Sequence, residues 1–216
     1  MDSILKLEDV SFGYNNELIL ENINLDILEC QFVGILGLNG SGKSTLLKLF
    51  LGILKPTIGS VIRRKDVRVG YVNQTTTTEE GGFPASVFEV VSLGLRKKPF
   101  SIINKVERER VNSILDLFNL SEYANKSLES LSGGQAQKVK IAKVLVSDPD
   151  IIVLDEPTTG IDEDSEKVLL EMIDYLHNLK KTIILVSHNK DNFKNCDVLY
   201  KVSNKTIKKV EVEEDV

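Results

Sequence analysis

The sequence predicts an α/β fold built on a parallel sheet. Three observations carry that prediction. Short apolar runs of the kind that form strands buried on both faces recur at 32–36, 151–154 and 183–186. Helical patterns separate them. The polar residues that could do chemistry stand directly after these runs, where a parallel sheet presents its strand ends.

Residues 4–12 and 18–27 alternate and read as strands, with Gly13 and Asn15-Asn16 as turns. Residues 31–36 form the next strand, ending at Gly37. A helix is expected over 44–54, closed off before Pro56, and a strand over 67–72. The polar stretch 75–82 reads as a loop. Residues 84–95 and 104–118 read as helices, and Val111, Ile114, Leu115 and Phe118 share one face of the second. A further helix is expected over 133–146. Asp162 is a candidate N-cap for a helix reaching about Leu179, with Val168, Leu169, Met172, Ile173 and Leu176 as its core stripe. From Asn204 the chain reads as a hairpin, then an acidic end over 211–216.

At 216 residues the chain is one large domain or a core with an inserted lobe, and its 42% hydrophobic content supports a packed interior. A net charge of -5 argues against a nucleic-acid partner, which would need clustered cations for phosphates. Arg63-Arg64-Lys65 and Arg96-Lys97-Lys98 read as solvated faces. Cys30 and Cys196 fit neither a zinc spacing nor a disulfide framework; Cys30 reads as a small packing residue, and the pair points to a reducing, cytoplasmic compartment. No N-terminal signal region is evident, and no apolar run approaches the ~18 residues that span a bilayer. Service in a membrane process would therefore require docking onto another chain.

The chemistry begins at Gly37-Leu38-Asn39-Gly40-Ser41-Gly42-Lys43-Ser44, which matches the phosphate-loop pattern in full between a strand and a helix. Glycines let backbone N–H groups turn toward phosphate oxygens, and the helix starting near Lys43 points its positive end at the same charge. Lys43 is placed to reach the terminal phosphates and the Ser44 hydroxyl to ligate Mg²⁺, with Asn39, Gly40, Ser41, Gly42 and Thr45 as further nucleotide-binding positions. The run 151–154 ends in Asp155, a second candidate Mg²⁺ holder acting through a water. Glu156 follows and suits a general base that activates water. Leu131-Ser132-Gly133-Gly134-Gln135 is a second glycine-rich turn, with a hydroxyl, exposed N–H groups and a helix start.

That second turn, downstream of a phosphate loop, resembles the signature of the ATP-binding subunits of ABC transporters, and the resemblance covers most of the chain. It implies a P-loop NTPase (RecA-like) core with an N-terminal antiparallel β subdomain and an inserted helical subdomain. The whole chain, 1–216, would be a single ABC ATPase domain, with 1–74 and 143–216 forming the core and β subdomain and 75–142 the helical one. It implies ATP and Mg²⁺ as cofactors. It also implies that Ser132, Gly133, Gly134 and Gln135 cap the γ-phosphate held by a second subunit, so that a head-to-tail homodimer, or a pair with a similar subunit, completes two sites. On the same resemblance Gln74 contacts Mg²⁺ and the attacking water, His188 hydrogen-bonds the γ-phosphate, Asp162 crosses the dimer interface, and Tyr14 stacks on adenine. Leu38 departs from the proline many relatives carry, and Ala136 and Lys138 from a frequent Gln and Arg; Lys138 keeps the charge without the bidentate fork.

Residues 82–91 (Gly82-Phe83-Pro84-Ala85-Ser86-Val87-Phe88-Glu89-Val90-Val91) resemble the stretch after the glutamine loop in zinc and manganese importer ATPases. Iron-chelate and vitamin importers carry similar segments. The implied partners are transmembrane permease subunits and an extracytoplasmic substrate-binding protein, and the implied place is the cytoplasmic face of the membrane. The ATPase itself is not expected to touch the metal, since its two His and two Cys have no ligand spacing. Two rival readings stand beside this one. A soluble ABC ATPase of translation or repair would usually carry two ATPase domains or a coiled-coil insertion. A monomeric P-loop kinase would leave the turn at Leu131 unexplained.

Overall fold

The computed structural model describes residues 2–15, 17–73, 85–95 and 103–211. Among these, strands β1 (Ser3–Tyr14), β2 (Glu17–Leu28), β3 (Phe32–Leu36), β4 (Ile58–Arg63), β5 (Val69–Val72), β6 (Ile151–Asp155), β7 (Thr182–Ser187), β8 (Val198–Ser203) and β9 (Thr206–Val210) form two sheets. The helices are α1 (Lys43–Phe50), α2 (Val87–Ser92), α3 (Lys105–Leu117), α4 (Gly133–Leu145) and α5 (Glu163–Asn178).

The larger sheet runs β5-β6-β7-β3-β8-β9, parallel except where β9 returns antiparallel on β8. Its central strands β3, β6 and β7 are buried at every position, which is why the sequence shows unbroken apolar runs there. Their side chains alternate between two core layers. Phe32, Leu36, Ile152, Leu154, Ile183 and Leu185 face one layer with residues of α2, α3, α4 and α5. Val33, Ile35, Ile151, Val153, Ile184 and Val186 face the other with α1, β1 and β2. The smaller, antiparallel sheet, ordered β2-β1-β4, contributes Leu5, Leu7, Val10, Leu20, Ile23, Leu25 and Ile27 to that second layer.

The register of the parallel strands positions the site. Leu36 pairs with Ser187, Asp155 with Val186, and Val72 with Leu154. The carboxyl ends of β3, β5, β6 and β7 therefore open on one rim, and whatever follows those strands in sequence is brought together in space.

Several expectations shift. The helix expected over 44–54 ends at Phe50, capped by Leu51, because Gly52 takes a left-handed φ of 72° and turns the chain out. β4 carries no expected strand; its residues are exposed or half-buried, so period-two burial is absent, and it is recruited by pairing with β1. The expected 67–72 strand begins only at Val69. β1 continues through Gly13 to Tyr14 instead of turning at Gly13. In the expected helix over 84–95 the described part is α2 followed by a 3-10 turn at Leu93–Leu95. The final hairpin starts at Val198, not at Asn204: Asn204 and Lys205, with φ of 47° and 65°, are its two-residue turn. On α5 the caps are Asp162 and Leu179, and Leu169, Ile173 and Leu176 are buried, while Val168 stands 40% exposed and so leaves the core stripe. The expected acidic end falls, after Glu211, outside the described residues.

Candidate functional site

β3 delivers the chain to Gly37, and the loop 37–42 folds over the start of α1. Gly40 and Gly42 take φ of 80° and 103°, conformations in which a side chain would be strained. Gly42 is the N-cap of α1 and offers no side-chain bond, so the first N–H groups of the helix are left for an outside acceptor. A Cβ on Gly37 would lie 2.6 Å from Ser41 Oγ, a buried hydroxyl without a hydrogen-bond partner among the described residues. Asn39 and Gly40 are exposed on the crown of the loop, Ser44 is exposed and Thr45 half-buried behind it.

Lys43 is buried although charged, and its surroundings account for that. Its Nζ donates to the carbonyl oxygens of Gly37 (2.7 Å) and Leu38 (3.1 Å) and pairs with Glu156 Oε1 at 3.3 Å. Glu156 directly follows β6 on left-handed backbone (φ 49°), held by its N–H to the Val186 carbonyl oxygen at 2.9 Å. Its second oxygen, Oε2, lies 2.6 Å from His188 Nδ1 and accepts from Thr159 Oγ1 at 3.1 Å. The Glu156 side chain is 4% exposed, whereas His188 is about half exposed. One buried carboxylate thus touches the phosphate-loop lysine on one side and an open histidine on the other.

Asp155, also buried, accepts from the Tyr71 hydroxyl at 3.2 Å through Oδ2, while Oδ1 has no partner among the described residues. Burial raises its pKa and the adjacent Glu156 adds to the rise; the hydrogen bond from Tyr71, the charge of Lys43 and the neighbouring Ser44 hydroxyl oppose it. Burial, and then the charge of Asp155, push the Tyr71 phenol up, so it stays protonated and donating. A buried, unpartnered carboxylate oxygen beside the Ser44 hydroxyl is a donor set suited to a hard divalent cation such as Mg²⁺.

A second group of expected residues lies at two helix starts. Ser132 caps α4 in a capping box: its Oγ accepts from Gln135 N–H (3.3 Å), and Gln135 Oε1 accepts from Ser132 N–H (3.0 Å). Ser132 and Gly133 are exposed and Gly134 is buried. Asp162 caps α5, accepting from Ser165 N–H (2.9 Å) and Ser165 Oγ (2.8 Å), and these bonds, the backbone one foremost, hold its pKa below the usual carboxylate value. Tyr14, at the end of β1, is 43% exposed and meets Phe12 edge-on with centroids 4.9 Å apart. Gln74 lies outside the described residues.

Three contributors were not expected. Tyr71 and Thr159 hold the two carboxylates. Asn192, 4% exposed, donates through Nδ2 to Thr158 Oγ1 (2.9 Å) and Ser187 Oγ (3.1 Å), so it joins the segments that carry Glu156 and His188. A cleft of about 510 Å³ lies elsewhere, between α5 and residues 189–195; its walls include Glu166, Glu171 and Asp174 but none of the phosphate-loop residues.

A phosphate loop between β3 and α1, facing an acidic pair where β6 ends on the rim of a parallel sheet, defines a P-loop nucleotide-binding protein. The ABC transporter family profile matches residues 20–159. The chain belongs to that family and is an ATP-hydrolysing subunit of it. It is similar to the zinc uptake system ATP-binding protein ZurA of Listeria innocua, 38% identical over 88% of this chain and 78% of ZurA. The high-affinity zinc uptake system ATP-binding protein ZnuC of Bacillus subtilis is 37% identical over 88% of this chain and 86% of ZnuC. Among solved structures, cbiO1 from Clostridium perfringens, part of the ABC transporter complex cbiONQ, superposes with a TM-score of 0.85 at 30% identity, covering 96% of this chain and 88% of cbiO1. The dimeric structure of MJ0796, a bacterial ABC transporter cassette, gives a TM-score of 0.80 at 28% identity, covering 98% of this chain and all of that one.

Proposed function

We propose that this chain is the ATPase of a zinc importer, working as a head-to-tail pair at the cytoplasmic face of a membrane and driving a permease fed by an extracytoplasmic zinc-binding protein. The observation that carries the enzymatic half is the position of Glu156, in contact with both Lys43 and His188. The zinc assignment is supported by the similarity to ZurA and ZnuC and by the segment 82–91.

In this reading Lys43 and the free N–H groups of α1 bind the β- and γ-phosphates, with Asn39, Gly40, Ser41, Gly42 and Thr45 lining the cradle and Tyr14 against the adenine. An arriving triphosphate competes with Glu156 for Lys43. The carboxylate released from that pair, still held by Thr159 and His188, takes a proton from water as the water oxygen bonds to the γ-phosphorus and the bridging oxygen leaves with ADP. His188 hydrogen-bonds the γ-phosphate. Asp155, Ser44 and Gln74 would hold Mg²⁺, which supplies charge neutralisation on the phosphates. Ser132, Gly133, Gly134 and Gln135 of one chain, with Asp162 beside them, close over the nucleotide of the other. We place the moving lobe at 75–142, with α4 running on from it into the core.

Deletion of the gene and measurement of labelled Zn²⁺ and Mn²⁺ uptake tests the cargo: loss of zinc uptake is expected. Uptake of both ions at the parental rate would sink the importer assignment.

A further inference from the structure

α4 and α5 start against each other. A Cβ added to Gly134 would lie 2.4 Å from Ser165 Oγ and 2.6 Å from Ser165 Cβ, closer than real Cβ atoms come to any neighbour. Among the described residues, one added to Gly133 would meet nothing nearer than the Gly160 carbonyl oxygen at 3.4 Å. The two glycines therefore differ in kind. Gly133 is exposed; Gly134 is buried and turns its missing side chain toward its own chain. Gly134 is also helical, and at such a position alanine is the better helix former, so the backbone gives no reason for glycine. Ser165 gives one. It cannot step aside at little cost, because its N–H and its hydroxyl are both bonded to the Asp162 carboxylate.

We infer that Ser165 is a positioning residue for the ATPase: locked by Asp162, it seats Gly134 and thereby fixes where Ser132 and Gly133 present their hydroxyl and N–H groups. The signature turn and the cap of α5 then form one rigid unit within a chain. This rests on the proposed reading that the turn closes over the nucleotide of a second chain.

The test uses the Glu156→Gln chain, in which hydrolysis is blocked, and follows ATP-dependent dimer formation by sedimentation and nucleotide binding by fluorescent ATP. Adding Gly134→Ala is expected to raise the ATP concentration for half-dimerisation roughly tenfold or more, the effect of forcing a methyl into filled space, with nucleotide binding to the single chain unchanged. Adding Ser165→Gly on top restores dimerisation; adding Ser165→Ala instead does not, because its Cβ remains. A harmless Gly134→Ala, or a folded Gly134→Ala/Ser165→Gly chain without rescue, overturns the inference. If the Glu156→Gln chain forms no dimer with ATP at all, it is the two-chain reading that fails. The seat is then judged, as it is if the double variant does not fold, by hydrogen exchange on the wild type and Gly134→Ala. Faster exchange at 162–166 with 43–50 unchanged supports it, and no change at 162–166 refutes it.

Discussion

Glu156 occupies left-handed backbone that costs a non-glycine residue roughly 1–3 kcal/mol, and the bonds to Val186, Thr159, His188 and Lys43 hold it there. Such strain fits a carboxylate placed for chemistry. Glu156→Gln is expected to lower kcat about 10²- to 10⁴-fold while ATP still binds, read by phosphate release and by fluorescent-nucleotide titration. Rapid turnover in that variant would remove Glu156 from the role of base. Tyr71→Phe leaves Asp155 with neither oxygen hydrogen-bonded by that phenol, and is expected to raise the Mg²⁺ concentration for half-maximal hydrolysis with fold and melting behaviour nearly kept; an unchanged Mg²⁺ requirement would make Tyr71 a packing residue only. Lys43, Ser44, Asp155 and Glu156 were legible in the sequence because each stands in a motif or directly after an apolar run, and His188 only through the family resemblance. Tyr71 and Asn192 were not. Their roles arise where separate strands meet, Tyr71 opposite Val153 and Asn192 between Thr158 and Ser187, and no local pattern records those meetings.

At the scale of elements, helix starts are the best-specified features. Ser86 with Glu89, Asn104 with Glu107, and Ser132 with Gln135 each form a reciprocal capping box. Asn104→Ala is expected to cost about 1 kcal/mol in denaturant unfolding and to leave ATP hydrolysis unchanged, since Asn104 caps α3, which carries none of the proposed site residues. A second test concerns the base of the sheet, where Asp148 receives Lys181 at 2.6 Å and faces Arg68 and Arg110. The Lys181 hydrogen bond, then the charges of Lys181, Arg110 and Arg68, hold its pKa below the usual carboxylate value. A depressed carboxylate stabilises the fold above its unfolded pKa, and that contribution fades as the pH falls through its folded pKa. Asp148→Asn should therefore melt earlier than the parent at pH 7, by an amount worth no more than about 1 kcal/mol for a partly exposed pair, and the gap should close in acid below the carboxylate range. The central strands were legible because burial on both faces leaves an unmistakable apolar run. β4 was not, because its exposed Ile58 and Ile62 follow no alternation and it exists through its pairing with β1.

For the whole molecule, the in-register parallel pairing of β3, β5, β6 and β7 is what turns scattered sequence motifs into one rim. That rim presents the phosphate cradle and the candidate base, while Ser132 and Asp162 cap helices that begin against each other. The central claim is that a working pocket takes its cradle from one chain and its closing turn from another. Specific ATPase activity of the purified chain, measured over a wide dilution series, tests it most directly. A pocket shared between chains predicts that the rate per chain falls as dilution separates the pairs and recovers when the protein is concentrated again. A rate per chain that stays constant down to concentrations where only single chains sediment would contradict it.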